Sequence, residues 1–258
     1  MRENVAADRK ARITIGIVVI LCCGLLALVD GYWKPAYGVK AGIKVLLFFV
    51  VPLVCTWWLG RKKEEDRQVL QQKENVAETE HRVATVSLKE FLTVFQPDRK
   101  ALTLGLGLGA GTMSVILGGY ALLAPYLDLS AIPAAMASNG GITADNFLYV
   151  GTWIALCNSL MEEIFFRGFA FLQLCRVSSR KFAYVISGAA FSLYHAAIVD
   201  GWVSPILFLL MLAALFVCGL FFDWLDENRG RIWVSWLMHM CANVAINLIG
   251  MRLLGMIP

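Results

Sequence analysis

The chain has 258 residues, of which 59% are hydrophobic and 16% are charged, and its formal net charge is +4. Soluble domains are usually about 45 to 50% apolar, so this composition predicts a polytopic membrane protein and excludes an ordinary soluble domain. The charges do not form one basic face, and nucleic acid is therefore not an expected partner. The seven cysteines lie mostly within apolar runs and form no Cys-x-x-Cys pair, which indicates buried thiols and not a disulfide framework or a zinc knuckle.

Several apolar segments are long enough to cross a bilayer, since a spanning helix needs about 20 mostly apolar residues. They predict an all-α, polytopic transmembrane helix bundle of about seven spans: Ile13 to Val29, Val39 to Gly60, Ala101 to Tyr126, Phe147 to Leu174, Phe182 to Val199, Val203 to Leu225 and Ile232 to Gly250. The first span follows several basic residues but has no small-residue cleavage site. We therefore expect it to be retained and not removed as a signal peptide.

One strongly polar segment, residues 61–100, divides the chain into three predicted regions. Residues 1–60 carry two N-terminal spans, 61–100 form a charged cytoplasmic connector, and 101–258 hold five spans. Within the connector we expect a solvated helix over Lys62 to Val83 and a short interfacial helix over Val86 to Phe95.

The distribution of Lys and Arg predicts the orientation of the chain. These residues are concentrated in the N-terminal segment and in the connector, so the positive-inside rule predicts a cytoplasmic N-terminus for an integral protein of the inner or plasma membrane. In this orientation the outer side carries only a few basic residues: Lys34, Lys40, Lys44 and Arg252.

The third span begins with alternating glycines, from Gly105 to Gly111, that superficially resemble a nucleotide-binding loop. No strand precedes them and no lysine follows, so the nucleotide interpretation fails. The pairs Gly105 and Gly109, and Gly107 and Gly111, instead predict the close approach of a neighbouring helix.

The fourth span contains three charged residues, Glu162, Glu163 and Arg167. An ionised group in hydrocarbon is costly, so such residues usually pair or line a functional cavity. Arg167 follows Glu163 by four residues, the spacing of an ion pair within one helix. Glu162 points about 100° away from Glu163 and is left to face the interior of the bundle as a candidate base.

Two histidines lie in later spans, His195 and His239, and Asn243 follows one turn after the second. At about 1.5 Å per residue, Glu162 and His195 both lie about 21 Å from the cytoplasmic ends of their helices, whereas His239 lies only about 12 Å from Arg231. A tilt or a longer helix would close that difference. We predict that these four polar side chains meet in one chamber inside the membrane.

The predicted chamber is suited to amide hydrolysis. Glu162 with His195 could polarise a water molecule as general base, while His239 and Asn243 could donate hydrogen bonds to an oxyanion. Alternatively, Glu162, His195 and His239 could hold a zinc ion with one position open for water. The spacing alone does not decide between these two interpretations.

The ordered motifs Glu162-Glu163-x-x-x-Arg167, Phe191-x-x-x-His195 and His239-x-x-x-Asn243 resemble the CPBP family. This family, also called the Abi family, contains CAAX prenyl endopeptidases and bacteriocin-processing or bacteriocin-immunity proteins. The resemblance covers roughly the last hundred residues and implies an intramembrane endopeptidase that acts on a membrane-associated protein or peptide.

The resemblance also implies roles for the matching residues. Glu162 and His195 would activate water, His239 and Asn243 would stabilise the oxyanion, and Glu163 and Arg167 would support them. The family has been described both as metalloproteases and as metal-independent glutamate proteases. Asn243 suits a hydrogen-bonding role better than zinc, so no cofactor is expected, with a divalent metal such as zinc as the alternative.

Two other function classes fit the same composition. A non-catalytic immunity or scaffold protein would use the chamber to bind another membrane protein. An ion-coupled carrier would use the buried ionisable groups as a relay, but these groups are concentrated in the C-terminal five spans without the paired halves common in carriers. We therefore rank the carrier last.

Overall fold

A computed structural model describes the backbone of residues 2–74, 86–96 and 98–258, and the side chains from residue 8 onward within those ranges except 63 and 66–74. All secondary structure in the described ranges is helical, which confirms the all-α prediction. The α-helices are α1 (Arg2–Leu28), α2 (Tyr37–Val45), α3 (Val51–Glu74), α4 (Leu88–Leu92), α5 (Arg99–Leu123), α6 (Ile132–Gly140), α7 (Phe147–Trp153), α8 (Ser159–Glu163), α9 (Leu172–Val177), α10 (Arg180–Val199), α11 (Pro205–Glu227) and α12 (Trp233–Leu253).

Shorter helical turns of other types join several of these elements. Within the described ranges, four segments are π-helical: Val29–Trp33, Leu46–Val50, Ile154–Asn158 and Ile164–Phe171. Two are 3₁₀-helical: Thr93–Phe95 and Ala124–Tyr126. The elements from α7 to α9 are joined without interruption by two of the π segments, and residues 147–177 therefore form one continuous helix, which we call the motif helix.

Among the described residues, six helical segments are long and apolar enough to cross a membrane: Asp8–Trp33, Tyr37–Lys62, Arg99–Tyr126, Arg180–Val199, Pro205–Glu227 and Trp233–Leu253. They correspond to six of the apolar segments found in the sequence, and the motif helix corresponds to the remaining one. The second half of the motif helix is enclosed by the others, since every residue from Glu162 to Leu174 is buried. The polytopic helix bundle is thus confirmed.

Aromatic packing fixes the position of the motif helix. Phe165, Phe166 and Phe169 are fully buried, and the ring of Phe48 stacks on Phe165 with centroids 4.1 Å apart. Fully burying a large apolar side chain contributes about 1.5 to 3 kcal/mol, and close-packed cores resist displacement. The N-terminal spans are therefore held directly against the helix that carries Glu162.

Glycines bring α5 and α12 close together. A Cβ atom on Gly105 would lie 2.8 Å from Leu237 Cδ1, and one on Gly109 would lie 2.7 Å from Cys241 Sγ. At Gly107 and Gly111 a Cβ would meet no atom within 4 Å. The predicted close approach is confirmed for the first pair and wrong for the second, because residues two apart lie on opposite sides of a helix and only one side meets α12.

The charged connector includes a short helix that is inserted into the bundle. The helix α3 continues to Glu74, and the remainder of the predicted solvated helix lies outside the described residues. The short helix predicted over Val86 to Phe95 is present as α4 and the 3₁₀ turn that follows it. Its Phe91 and Val94 side chains are 0% and 1% exposed. The Val94 carbonyl accepts a hydrogen bond from the Ile232 amide at the start of α12 (3.4 Å). The division of the chain into three regions stays a prediction.

Candidate active site

The carboxylate of Glu162, which is 2% exposed, has one oxygen that is fully engaged. Oε1 accepts hydrogen bonds from Asn158 Nδ2 (2.7 Å), the Tyr194 hydroxyl (3.2 Å) and Lys44 Nζ (3.3 Å). The donors come from the motif helix, α10 and α2. Three donors on one oxygen hold the carboxylate in a fixed orientation.

The second oxygen, Oε2, is buried, has no hydrogen-bond partner and faces two imidazole rings. It lies 3.6 Å from His195 Nε2 and 3.8 Å from His239 Nε2. An unsatisfied buried acceptor costs about 1 to 3 kcal/mol, so its surroundings favour a molecule that can donate hydrogen bonds. The structure thus brings together three of the predicted site residues.

Hydrogen bonds on the far side of each ring set the role of its Nε2 atom. Nδ1 of His195 lies 2.7 Å from the Phe191 carbonyl, and Nδ1 of His239 lies 2.7 Å from Glu163 Oε1. Both partners can only accept, since Glu163 is paired with Arg167, so each Nδ1 carries a proton and donates it. In the neutral rings the lone pairs are on Nε2 and point towards Glu162.

A buried ionic cluster lies behind His239. The predicted pair between Glu163 and Arg167 is present, with Arg167 Nε 3.2 Å from Glu163 Oε2. Arg167 Nε also lies 3.7 Å from Asp223 Oδ1, which accepts a hydrogen bond from Ser187 Oγ (2.9 Å). All of these side chains are fully buried. We call Glu163, Arg167, Asp223 and Ser187 the support cluster.

Asp223 and its neighbour Asp226 were missed by the sequence analysis. Asp226 Oδ2 accepts a hydrogen bond from Ser235 Oγ (2.5 Å), which ties α11 to the start of α12. The signal was present in the sequence, since both acids end an otherwise apolar span, and ionisable residues in spans usually have partners inside the protein.

The side chain of Asn243 donates its hydrogen bond to the backbone of the motif helix and not to Glu162 or the histidines. Its Nδ2 donates to the Ile154 carbonyl (3.3 Å), and Asn247 Nδ2 donates to the Gly151 carbonyl (2.7 Å). Both accepting carbonyls belong to the motif helix at or just before its first π segment, where backbone carbonyls leave the regular helical ladder. The two amides therefore fasten α12 to the motif helix, and Asn243 lies one turn from His239.

Lys44 is a further residue that the sequence analysis did not place in the site. It was counted among the charges of the outer side, yet its Nζ lies 2.5 Å from Asn158 Oδ1 and 3.3 Å from Glu162 Oε1. The ammonium also lies 5.0 Å from the centre of the Tyr194 ring. The available signal was a lysine inside an apolar run, which indicates a buried partner.

The donor types of Glu162, His195 and His239 are those that zinc binds. Within the described part of the chain, however, no group of three or more His, Cys, Asp or Glu side chains has the arrangement that a metal ion requires. Glu162 is moreover already paired with the Lys44 ammonium. The residues as arranged do not fit a metal, and zinc stays a prediction from the sequence.

Comparison with protein families gives a match over the same part of the chain. Residues 144–245 match the family described as Type II CAAX prenyl endopeptidase Rce1-like. The match runs from just before the motif helix into α12 and includes Glu162, His195, His239 and Asn243. Comparison with curated proteins and with solved structures gave no significant match.

Fold and match together describe the class of protein as an integral membrane helix bundle in which residues 144–245 are similar to the Type II CAAX prenyl endopeptidase Rce1-like family. The resemblance to the CPBP family is thereby confirmed over residues 144–245. The first six α-helices lie outside the match, although Lys44 on α2 contacts the candidate site.

Proposed function

We propose that the protein hydrolyses a peptide bond of a membrane-associated protein or peptide, with water activated by Glu162 and His195. The observation that carries the proposal is the convergence of Glu162 Oε2 with Nε2 of His195 and of His239 at a buried point. Glu162 Oε2 and His195 Nε2 can both accept a hydrogen bond, so a water molecule beside them is polarised by groups that can take its proton.

The reaction begins when the water oxygen attacks the scissile carbonyl carbon. A carbon–oxygen bond forms, the carbonyl π electrons move to its oxygen, and the water proton passes to Glu162 Oε2. The carbon–nitrogen bond then breaks as the oxyanion re-forms the carbonyl, and Glu162 gives its proton to the leaving amine. General acid and base catalysis of this kind contributes about 10²- to 10⁴-fold.

His239 is suited to stabilising the oxyanion when its ring carries both protons. Nδ1 donates to Glu163, so only the imidazolium form has an Nε2–H that can donate to substrate. Glu163 stabilises that imidazolium, and Arg167 holds Glu163 in place. Asn243 can supply a second donor if its amide exchanges the Ile154 carbonyl for the oxyanion, and each such donor is worth about 10²- to 10³-fold.

The direct test is cleavage by purified protein in proteoliposomes. A panel of membrane-anchored peptides, including a prenylated C-terminus and a leader with a double-glycine end, is incubated with parent and Glu162→Gln protein, and fragments are identified by mass spectrometry. We expect cleavage by the parent, loss of cleavage in Glu162→Gln, and no change in Glu64→Gln, which alters an exposed glutamate of α3.

Unchanged turnover in correctly folded Glu162→Gln protein would contradict the proposal. A parent protein that binds a membrane partner without cleaving it, and whose binding survives Glu162→Gln and His195→Ala, would instead support the immunity or scaffold role. Peptides that accumulate in cells carrying only the Glu162→Gln form would identify the natural substrate. We also propose the inner or plasma membrane and a cytoplasmic N-terminus, on the distribution of basic residues.

A further inference from the structure

We infer that Lys44 is a positioning residue of this active site, supplied by a helix outside the family-matched segment. It binds Glu162 Oε1 and Asn158, and thereby keeps Glu162 Oε2 directed at the two histidines. The inference rests on the proposed function. It means that the two N-terminal spans complete the site and do not serve only as an anchor.

The two lysines of α2 have different carboxylate partners, and this difference distinguishes a structural role for Lys40 from a positioning role for Lys44. Lys40 Nζ lies 2.9 Å from Asp30 Oδ1 and 2.5 Å from the Asn139 carbonyl, so its charge is balanced close to the end of α1. Lys44, one turn later on the same face, has Glu162 as its carboxylate partner within the described part of the chain. Burial of an ammonium and a carboxylate is costly unless each compensates the other, so these two groups depend on one another.

Lys44, Asn158 and Glu162 form a closed triangle of hydrogen bonds. Asn158 Oδ1 accepts from Lys44, while Asn158 Nδ2 donates to Glu162 Oε1. The ammonium can only donate, so it determines which end of the Asn158 amide faces Glu162. Without Lys44, the amide is free to turn its oxygen towards the carboxylate, which would repel it.

The triangle assigns different tasks to the two oxygens of Glu162. Lys44, Asn158 and Tyr194 occupy Oε1, whereas Oε2 keeps its lone pairs for water. Loss of Lys44 removes both a donor and the counter-charge from this arrangement. We expect the carboxylate to rotate or to lose its charge, and both changes impair the activation of water while leaving the peptide-binding surfaces intact.

The backbone at Lys44 is held in place because the next turn of its helix is packed against the motif helix. Leu46–Val50 is a π segment, and its Phe48 lies 4.1 Å from Phe165 and 5.2 Å from Tyr194 between ring centroids. Phe48 is fully buried. Aromatic packing of the following turn therefore fixes the backbone from which Lys44 reaches Glu162.

The test compares Lys44→Met, which removes the charge and keeps the length, with the double variant Asp30→Asn/Lys40→Met. The control removes the largely buried ion pair between Lys40 of α2 and Asp30 without touching Glu162. With a peptide that the parent cleaves and Glu162→Gln does not, we expect kcat of Lys44→Met to fall about 10- to 100-fold, because a displacement of about 1 Å in a reacting geometry can cost about 10²-fold. KM should stay within about threefold, and the control should keep the kcat of the parent within about threefold, since this pair does not orient the catalytic groups.

A second variant separates positioning from folding. Lys44→Ala opens space for a small amine, and we expect methylammonium or ethylammonium to restore its kcat in a saturable manner. The same amines should have no effect on Lys44→Met, whose side chain fills that space, or on Glu162→Gln. Restoration also shows that the variant is folded.

The outcomes are distinguishable. If the parent cleaves no peptide, the proposed function fails and the inference about Lys44 falls with it. If the parent cleaves and Glu162→Gln does not, then parent-like kcat in Lys44→Met overturns the positioning role. A loss in Lys44→Ala that no amine restores, at a parent-like melting temperature, overturns it as well, because packing alone would then explain the loss.

Discussion

Glu162 and Glu163 are adjacent in the chain and both are buried, yet they face two different regions of the molecule. Glu163 lies in the support cluster, where Arg167 and His239 engage its carboxylate. Glu162 has one oxygen bound by three donors and the other directed at two histidines without a hydrogen bond. The difference teaches that burial alone does not identify a catalytic carboxylate. An oxygen atom that is buried but has no hydrogen-bond partner is the more informative feature.

The largest difference in kcat and in stability is expected between the two variants in which one of these glutamates is replaced by glutamine. Glu162→Gln removes the base and the counter-charge of Lys44 but keeps an oxygen for the donors on Oε1, so we expect kcat to fall more than about 10³-fold with a moderate loss of stability. Glu163→Gln should lower kcat less and lower stability more, because Arg167 loses its closest carboxylate. Peptide cleavage and thermal unfolding in detergent measure both. Equal losses of activity and of stability in the two variants would remove the distinction.

The support cluster is tested by Arg167→Met. The substitution leaves Glu163 and Asp223 buried without their cation, and removal of one partner from a buried pair costs about 3 to 5 kcal/mol. We expect a strongly lowered melting temperature or a failure to accumulate in the membrane.

The matched control for that variant is Arg176→Met. Arg176 pairs with Glu90 at 3.0 Å, and both side chains are partly exposed. Exposed pairs are worth about 0 to 1 kcal/mol, so this variant should unfold close to the temperature of the parent. Equal stability of the two arginine variants would mean that the cluster contributes no more than a surface pair.

A smaller effect is expected where α5 supports α12. Gly109→Ala places a Cβ against Cys241, so α12 must shift, and overpacking of this kind costs about 1 to 3 kcal/mol. Gly107→Ala meets no atom, and alanine favours a helix over glycine by about 0.5 to 1 kcal/mol. In thermal unfolding, the melting temperature of Gly109→Ala should be lower than that of the parent. The melting temperature of Gly107→Ala should be unchanged or higher. The opposite order would contradict the described contact.

No effect is expected from chelation. Water activation by Glu162 and His195 needs no metal, so incubation with EDTA or 1,10-phenanthroline should leave peptide cleavage within about twofold of the untreated rate. Loss of cleavage that returns on addition of zinc would favour the metalloprotease interpretation instead. Metal analysis of the purified protein gives a second readout.

Much of the fold and part of the site follow from local patterns. Hydropathy located the helices, and the spacing of four residues predicted the pair between Glu163 and Arg167. The histidines could be grouped with Glu162 because polar residues in apolar helices seek one another. These patterns depend on residues that are near in the chain, or on the general tendency of polar residues in apolar helices to contact one another. The sequence alone is therefore enough to reveal them.

Other features depend on contacts between distant residues. Lys44 meets Asn158 and Glu162 across more than a hundred residues, and counting basic residues placed it on the outer side. His239 approaches Glu162 to 3.8 Å, although its distance from Arg231 along α12 had predicted a shallower position than that of Glu162 and His195. The start of α12 in fact lies among buried residues, with Ile232 bonded to Val94 of the connector. Only tertiary packing contains that information.

The contact between Lys44 and Asn158 has a consequence for anyone who would shorten or recombine this protein. A fragment cut to residues 144–245 would keep every motif of the family and still lack the ammonium that faces Glu162. A hybrid that joins this segment to the membrane helices of another protein would need a basic side chain beside Glu162 Oε1, where Lys44 lies in this protein. The unit that can be transplanted is therefore larger than the unit that can be recognised.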